Sequence, residues 1–178
     1  MNKLMKQKIL RTGAKCPAVA FLILAFLTSI AVQPTYGQDQ IVWYSMQKAQ
    51  QLAQKNNKKV LIYAGADWCV YCQKMDEQVF PQQEVIDSLQ AYFYGVRVDI
   101  ESSRSMVFNG KKMTQFKFAR KHRVRATPTF IFLNSEGRVM GAQPGFIPAE
   151  TFSRLLGYIG SGAFKQMEFG IYLSKIKQ

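Results

Sequence analysis

Metal ligands are scarce in this chain, which has one histidine and three cysteines among 178 residues. A structural zinc site takes four ligands, usually two Cys pairs or one pair with two histidines. Here the one histidine, His122, stands 50 residues beyond the nearest cysteine, Cys72, so the sequence does not supply the usual ligand set. Acids are scarce too, with 11 against 24 Lys and Arg and a net charge of +13. A basic balance raises the question of nucleic acid, but the chain has no zinc-finger spacing and no RNA-binding aromatic motif. The apolar run AVAFLILAFLTSIAV, Ala18 to Val32, is 15 residues long with Thr28 and Ser29 inside it, short of the ~20 that span a bilayer.

That run has a different use. It follows Lys3, Lys6, Lys8, Arg11 and Lys15 with no acid between them, and PTYG supplies small residues at Thr35 and Gly37. A basic segment, a short apolar segment and a small-residue cleavage site make a secretory signal. We therefore expect residues 1–37 to be removed and the protein to be exported to the periplasm, with an uncleaved N-terminal anchor as the alternative. Cys16 precedes the apolar run, so it cannot be a lipid-attachment cysteine. Removal of the signal leaves 19 basic against 11 acidic residues, a balance of +8, and an exported protein does not meet nucleic acid. The positive charge concentrates in KKMTQFKFARKHRVR, residues 111–125, either a solvated helix face or a docking surface for an acidic partner.

The remainder, residues 38–178, reads as one globular domain: 48% of the chain is hydrophobic and 20% charged, enough to bury a core. It retains two cysteines, Cys69 and Cys72, in GADWCVYCQKM, and none is left over for a long-range bridge. Covalent haem attachment needs CxxCH, and residue 73 is Gln. A purely structural disulfide over so small a loop would stabilise the fold only modestly. Redox exchange needs the first cysteine at a helix N-terminus, where unpaired N–H groups and the dipole favour a thiolate. The flanking pattern predicts that geometry. KKVLIYAGA, residues 58–66, is a buried strand, and Cys72, Met75 and Val79 follow at helical spacing until Pro81. Cys69 is expected at the exposed start of this helix and Cys72 one turn in, with Asp67 as a solvated charge beside them.

The rest alternates. An amphipathic helix is expected over Ile41 to Gln54, a short helix around Val85 to Leu89, a strand over residues 91–100 and a helix over 113–122. TFIFL, residues 129–133, and RVMGA, residues 138–142, form a hairpin about the NSEG turn. Residues 148–159 form a helix with Pro148 at its start, and a final amphipathic segment follows GSG.

WCVYC after a strand, with RATPTFIFLNSEGRV about 55 residues later, resembles the redox motif and cis-proline loop of the thioredoxin superfamily over roughly residues 58–159. GADWCVYC and GFIPAETF are similar to segments of the C-terminal periplasmic domain of the transmembrane thiol:disulfide interchange protein. FNGKKMTQFKFARKHRVRATPTFIFL and the tail after Gly160 resemble the exported SoxW-type thioredoxins. The resemblance implies an α/β thioredoxin fold, a central mixed β-sheet flanked by helices with an extra helix at each end. It implies that Cys69 attacks substrate disulfides and Cys72 resolves the mixed disulfide. Trp68 would pack beside the pair, Tyr71 would belong to the substrate surface, and a cis Thr127–Pro128 peptide would leave the Thr127 backbone free for a substrate strand. Core packing for Trp68 and a strand-start role for Pro128 are the bland alternatives. One departure is Tyr63, which stands where many relatives bury an acid that moves protons to the resolving cysteine.

The sequence thus predicts a monomeric thiol-disulfide oxidoreductase that needs no cofactor and no metal. It would act on protein disulfides as a reductant and be recharged by a membrane thiol-disulfide reductase. An oxidase or isomerase of the same fold is the alternative within the class, since Thr127 before the proline also occurs in isomerase-like relatives. A CxxC metal carrier, with Met75 as the one nearby soft ligand, is the alternative outside it.

Overall fold

The computed structural model describes residues 40–176. The expected signal segment, residues 1–37, and Cys16 lie outside the described residues. No described helix is long and apolar enough to cross a membrane.

The frame is a four-stranded sheet in the order β2-β1-β5-β6, from β1 (Lys59–Gly65), β2 (Phe93–Asp99), β5 (Thr129–Leu133) and β6 (Val139–Pro144). β1 pairs parallel with β2 and antiparallel with β5, and β5 pairs antiparallel with β6. The sheet is therefore mixed, as expected. Alternation within the two central strands builds a core on each face. Leu61, Tyr63, Phe130 and Phe132 join one cluster, and Val60, Ile62, Ile131 and Leu133 join the other. Because both faces are covered, VLIYAG and TFIFL are buried throughout, and so they read in sequence as unbroken apolar runs rather than alternating ones.

Helix α2 (Val70–Lys74) with the π-helical segment Met75–Val79 that continues it, helix α3 (Gln83–Tyr92) and helix α5 (Ala149–Ser161) close the first face through Cys72, Met75, Val79, Leu89, Phe152 and Leu156. Helices α1 (Met46–Asn56) and α4 (Gln115–Lys121) close the second through Met46, Ala49, Ala53 and Phe118. Burying one such Leu or Phe contributes about 1.5–3 kcal/mol. A last helix, α6 (Phe169–Ile176), lies on α5, where the tilted rings of Phe169 and Tyr172 have their centres 5.2 and 5.3 Å from that of Tyr158. The extra helices at both ends agree with the expectation.

Four details differ from the sequence reading. Helix α1 begins at Met46 rather than Ile41, because Ser45 caps it by accepting from the Lys48 N–H and Trp43 instead bridges to Gly95 on β2. A Cβ at Gly95 would stand 3.0 Å from the Trp43 ring, so the bridge needs that glycine. The motif helix does not run evenly to Pro81: after Lys74 it widens into a π-helix, Met75–Val79, which Phe80 N–H closes on the Met75 carbonyl at 2.9 Å. β6 extends two residues beyond the expected strand, to Pro144, which an edge strand tolerates. Finally, β3 (Ser105–Phe108) and β4 (Lys111–Thr114) form a hairpin where no strands were expected. Its turn is Asn109-Gly110, both with positive φ, 48° and 74°, the signature of a tight hairpin turn. β4 therefore takes the first two residues of the expected 113–122 helix, and Thr114 caps what remains by accepting from the Lys117 N–H at 3.1 Å.

Candidate functional site

β1 ends at Gly65, and residues 66–68 carry the chain to α2. Cys69 is the N-cap of that helix: its Sγ accepts the Cys72 N–H at 3.0 Å, and its carbonyl accepts the Gln73 N–H. This first-turn N–H, which also donates to the Cys69 carbonyl at 2.9 Å, thus reaches the sulfur, as a stabilised thiolate requires. Cys69 and Cys72 are joined in a disulfide. Gly65 makes room for it, since a Cβ there would lie 3.1 Å from Cys72 Sγ.

Cys69 is not at an exposed start. Both cysteines are 4% exposed, and both belong to the apolar cluster that contains Ala66, Met75 and Ile147. What projects instead is the rim. Trp68 is 62%, Val70 61% and Tyr71 56% exposed. Trp68 is thus no core residue, and its indole N–H donates to Glu101 Oε2 at 2.9 Å. Tyr71 faces Phe146, ring centres 6.2 Å apart. Glu101 and Phe146 were missed by the sequence reading. Phe146 lies in the quoted GFIPAETF, whereas nothing local marks Glu101 as a tether for a residue 33 positions earlier.

Thr127 and Pro128 are joined by a cis peptide bond. β5 starts at Thr129, which pairs with Ala64, the residue before the end of β1. The cis loop and the cysteine motif therefore leave neighbouring strands at the same edge of the sheet. The loop is fastened by Thr129 Oγ1, which donates to the Ala126 carbonyl, and by the Gly145 N–H, which donates to the Pro128 carbonyl. Among the described residues, no backbone hydrogen bond involves the Thr127 N–H or C=O.

Tyr63, at the position of the missing acid, is buried, and its hydroxyl donates to the Cys72 carbonyl at 3.1 Å. Burial, and then the nearby Asp76 carboxylate, push its pKa far up, against a smaller opposing pull from Arg97. The phenol stays neutral, so it can donate a hydrogen bond but cannot serve as a base. The Arg97 guanidinium lies 4.5 Å from the Trp43 ring and 5.3 Å from the Tyr63 ring, and pairs with Asp76 at 2.6 Å. A groove of about 250 Å³ beside Cys72 is lined by Tyr63, Asp76, Arg97 and Asp99. His122 is elsewhere. It packs against Phe108 and Phe118 of the second core, where burial and then Lys121 lower its pKa. The structure therefore gathers Trp68, Cys69, Tyr71 and Cys72 on one turn, brings Thr127 and Pro128 to the same edge and leaves His122 out.

A family model described as a thioredoxin-like domain matches residues 46–160. The disulfide bond reductase DsbH of Chlamydia pneumoniae is 25% identical over 107 residues, 58% of this chain and 64% of that protein. The thiol:disulfide interchange protein DsbD of Pseudoalteromonas atlantica is 27% identical over 108 residues, 58% of this chain and 17% of its own length. The match thus spans less than two thirds of either protein. Among solved structures, a thioredoxin from Thermus thermophilus is 27% identical, with a TM-score of 0.55 over 72% of this chain and 99% of its own.

Proposed function

Because the chain belongs to the thioredoxin-like domain family, we propose that it is an exported thiol-disulfide oxidoreductase that reduces disulfides in other proteins. In its reduced form the Cys69 thiolate attacks one sulfur of a substrate disulfide, forming a mixed disulfide and releasing the other substrate sulfur as a thiolate. Cys72, deprotonated, then attacks Cys69 Sγ, expels the second substrate thiolate and closes the Cys69–Cys72 bond. Two electrons pass to the substrate, and its two thiolates take up protons. A membrane thiol-disulfide reductase returns the electrons. The resemblance to DsbH, named a disulfide bond reductase, supports that direction, as does the DsbD relative for the donor.

The observation that carries the reading is the capping of Cys69 Sγ by the Cys72 N–H at 3.0 Å, with Val70 and Tyr71, neither cationic, between the cysteines. The helix N-terminus favours the Cys69 thiolate, but no histidine adds to it, and a moderately stabilised thiolate makes a reducing couple. The exposed rim of Trp68 and Tyr71 and the unpaired Thr127 backbone serve as the substrate surface, an extended strand pairing with Thr127. Export rests on the basic segment and apolar run before residue 38, and the mature chain begins near Gln38.

Trapping tests it. In the native cell Cys72→Ser accumulates mixed disulfides with substrates and Cys69→Ser does not. The opposite pattern reverses the two roles, and no adduct from either variant removes the reading. Intact mass of the exported protein reads out the cleavage, and retention of residues 1–37 contradicts it.

A further inference from the structure

From Ser102 to Ser135 the sequence has no Asp or Glu, yet it carries eight cations: Arg104, Lys111, Lys112, Lys117, Arg120, Lys121, Arg123 and Arg125. All eight are exposed, and none forms an ion pair among the described residues. On α4, Lys117, Arg120 and Lys121 stand at i, i+3 and i+4, a single outward face, while Phe118 and Ala119 turn into the core.

This surface runs into the redox site at two ends. The Asp99 N–H, at the end of β2, donates to Gln115 Oε1 at 2.7 Å, and the Phe116 N–H donates to the Ser102 carbonyl. Both ties hold the start of α4 against the loop whose Glu101 fastens Trp68. After α4, Arg123 and Arg125 lead directly to Thr127 and the cis peptide. These ties join the cationic segment to the Glu101 loop that holds Trp68 and to the cis-proline loop, while the acids Asp67, Asp99 and Glu101 stand on the side of the rim.

We infer that α4 and the segment from Arg123 to Arg125 form a docking surface for an acidic face of the protein whose disulfide this chain reduces. A surface of eight unneutralised cations repels itself, and an opposing acidic face relieves that repulsion while orienting the encounter. A protein is the occupant rather than an anionic bilayer because the cationic segment is joined to the loops beside the disulfide. Whatever covers both must bring a cystine to Cys69, and a lipid headgroup has none. The inference rests on the proposed reductase activity and adds to it the chemistry of the substrate.

Three synthetic peptides with the same intrachain disulfide loop, flanked by glutamates, lysines or alternating glycine and serine, separate the two claims. The purified full chain, reduced beforehand with dithiothreitol and freed of it, is mixed with each peptide at about 0.01 M and about 1 M salt, where the screening length falls from roughly 30 Å to roughly 3 Å. We expect the glutamate peptide to be reduced about tenfold faster than the lysine peptide at low salt, with the difference gone at high salt. Lys117→Glu with Arg120→Glu and Lys121→Glu reverses the preference, the corresponding Gln variants abolish it, and the glycine-serine peptide reacts at an unchanged rate throughout. Equal rates for the charged peptides at low salt, or a preference that survives charge reversal, overturn the docking surface alone. Salt-sensitive binding to phosphatidylglycerol vesicles that the Glu variant loses, with no peptide preference, overturns it in favour of a lipid surface. Failure to reduce any of the three peptides overturns the reductase reading, and the inference with it.

Discussion

The Tyr63 hydroxyl donates to the Cys72 carbonyl at 3.1 Å across nine residues, tying the strand before the motif to the resolving cysteine. The phenol is buried and held protonated, so this contact orients the first turn of the helix but cannot move a proton to or from Cys72.

Tyr63→Phe is therefore expected to retain the disulfide-reduction rate within about twofold and to lose on the order of 1 kcal/mol of stability with the hydrogen bond. Insulin reduction and urea unfolding measure the two. A large loss of rate with an altered pH profile would mean that the hydroxyl takes part in the chemistry.

The same substitution has a pH signature. The folded-state pKa of Tyr63 is raised, so the unfolded chain loses this proton near its ordinary value of about 10 while the folded chain still holds it. Its contribution is fully present below about pH 10 and is lost as pH rises above it. Wild type should lose stability above pH 10 more steeply than Tyr63→Phe in paired urea titrations, and parallel slopes would contradict the buried-phenol assignment.

Gly65→Ala places a methyl group 3.1 Å from Cys72 Sγ. Either the strand end or the sulfur must move, which costs about 1–3 kcal/mol as an overpacked site does. Thermal unfolding of the oxidised variant should show the loss, and an unchanged midpoint would show that the site has slack.

Glu101→Ala frees the Trp68 indole from its tether. Since the tether is exposed, we expect stability within about 0.5 kcal/mol of wild type, but a several-fold rise in KM for protein substrates with kcat nearly constant, the pattern of lost ground-state positioning. Steady-state kinetics checks this, and a fall in kcat at unchanged KM would assign Glu101 a different part.

What could be read in the sequence had local causes. The strands VLIYAG and TFIFL, the helix starting at the motif and the last helices all follow from runs and periodicities within a dozen residues. The β3–β4 hairpin was also written locally, in Asn109-Gly110, but its short strands lie in a basic stretch whose spacing reads as helical. Trp43 falls at the spacing of the α1 face, but Ser45 caps the helix after it, so α1 starts later than the periodicity predicts. The Trp68–Glu101 tether, the Tyr71–Phe146 contact and the Asp76–Arg97 pair join residues 21 to 75 positions apart, and only the folded sheet brings them together. The burial of Cys69 has the same origin, because Ile147, which shares its cluster, arrives from beyond β6.

The central claim is the direction of electron flow, and the equilibrium potential of the Cys69–Cys72 couple tests it most directly. Equilibrated against glutathione buffers, with the thiol and disulfide forms separated by mass after alkylation, the couple should lie near that of the reducing thioredoxins, about −270 mV. A value above about −180 mV, that of a disulfide isomerase, would contradict the reductant and make the chain an oxidase or isomerase of the same fold.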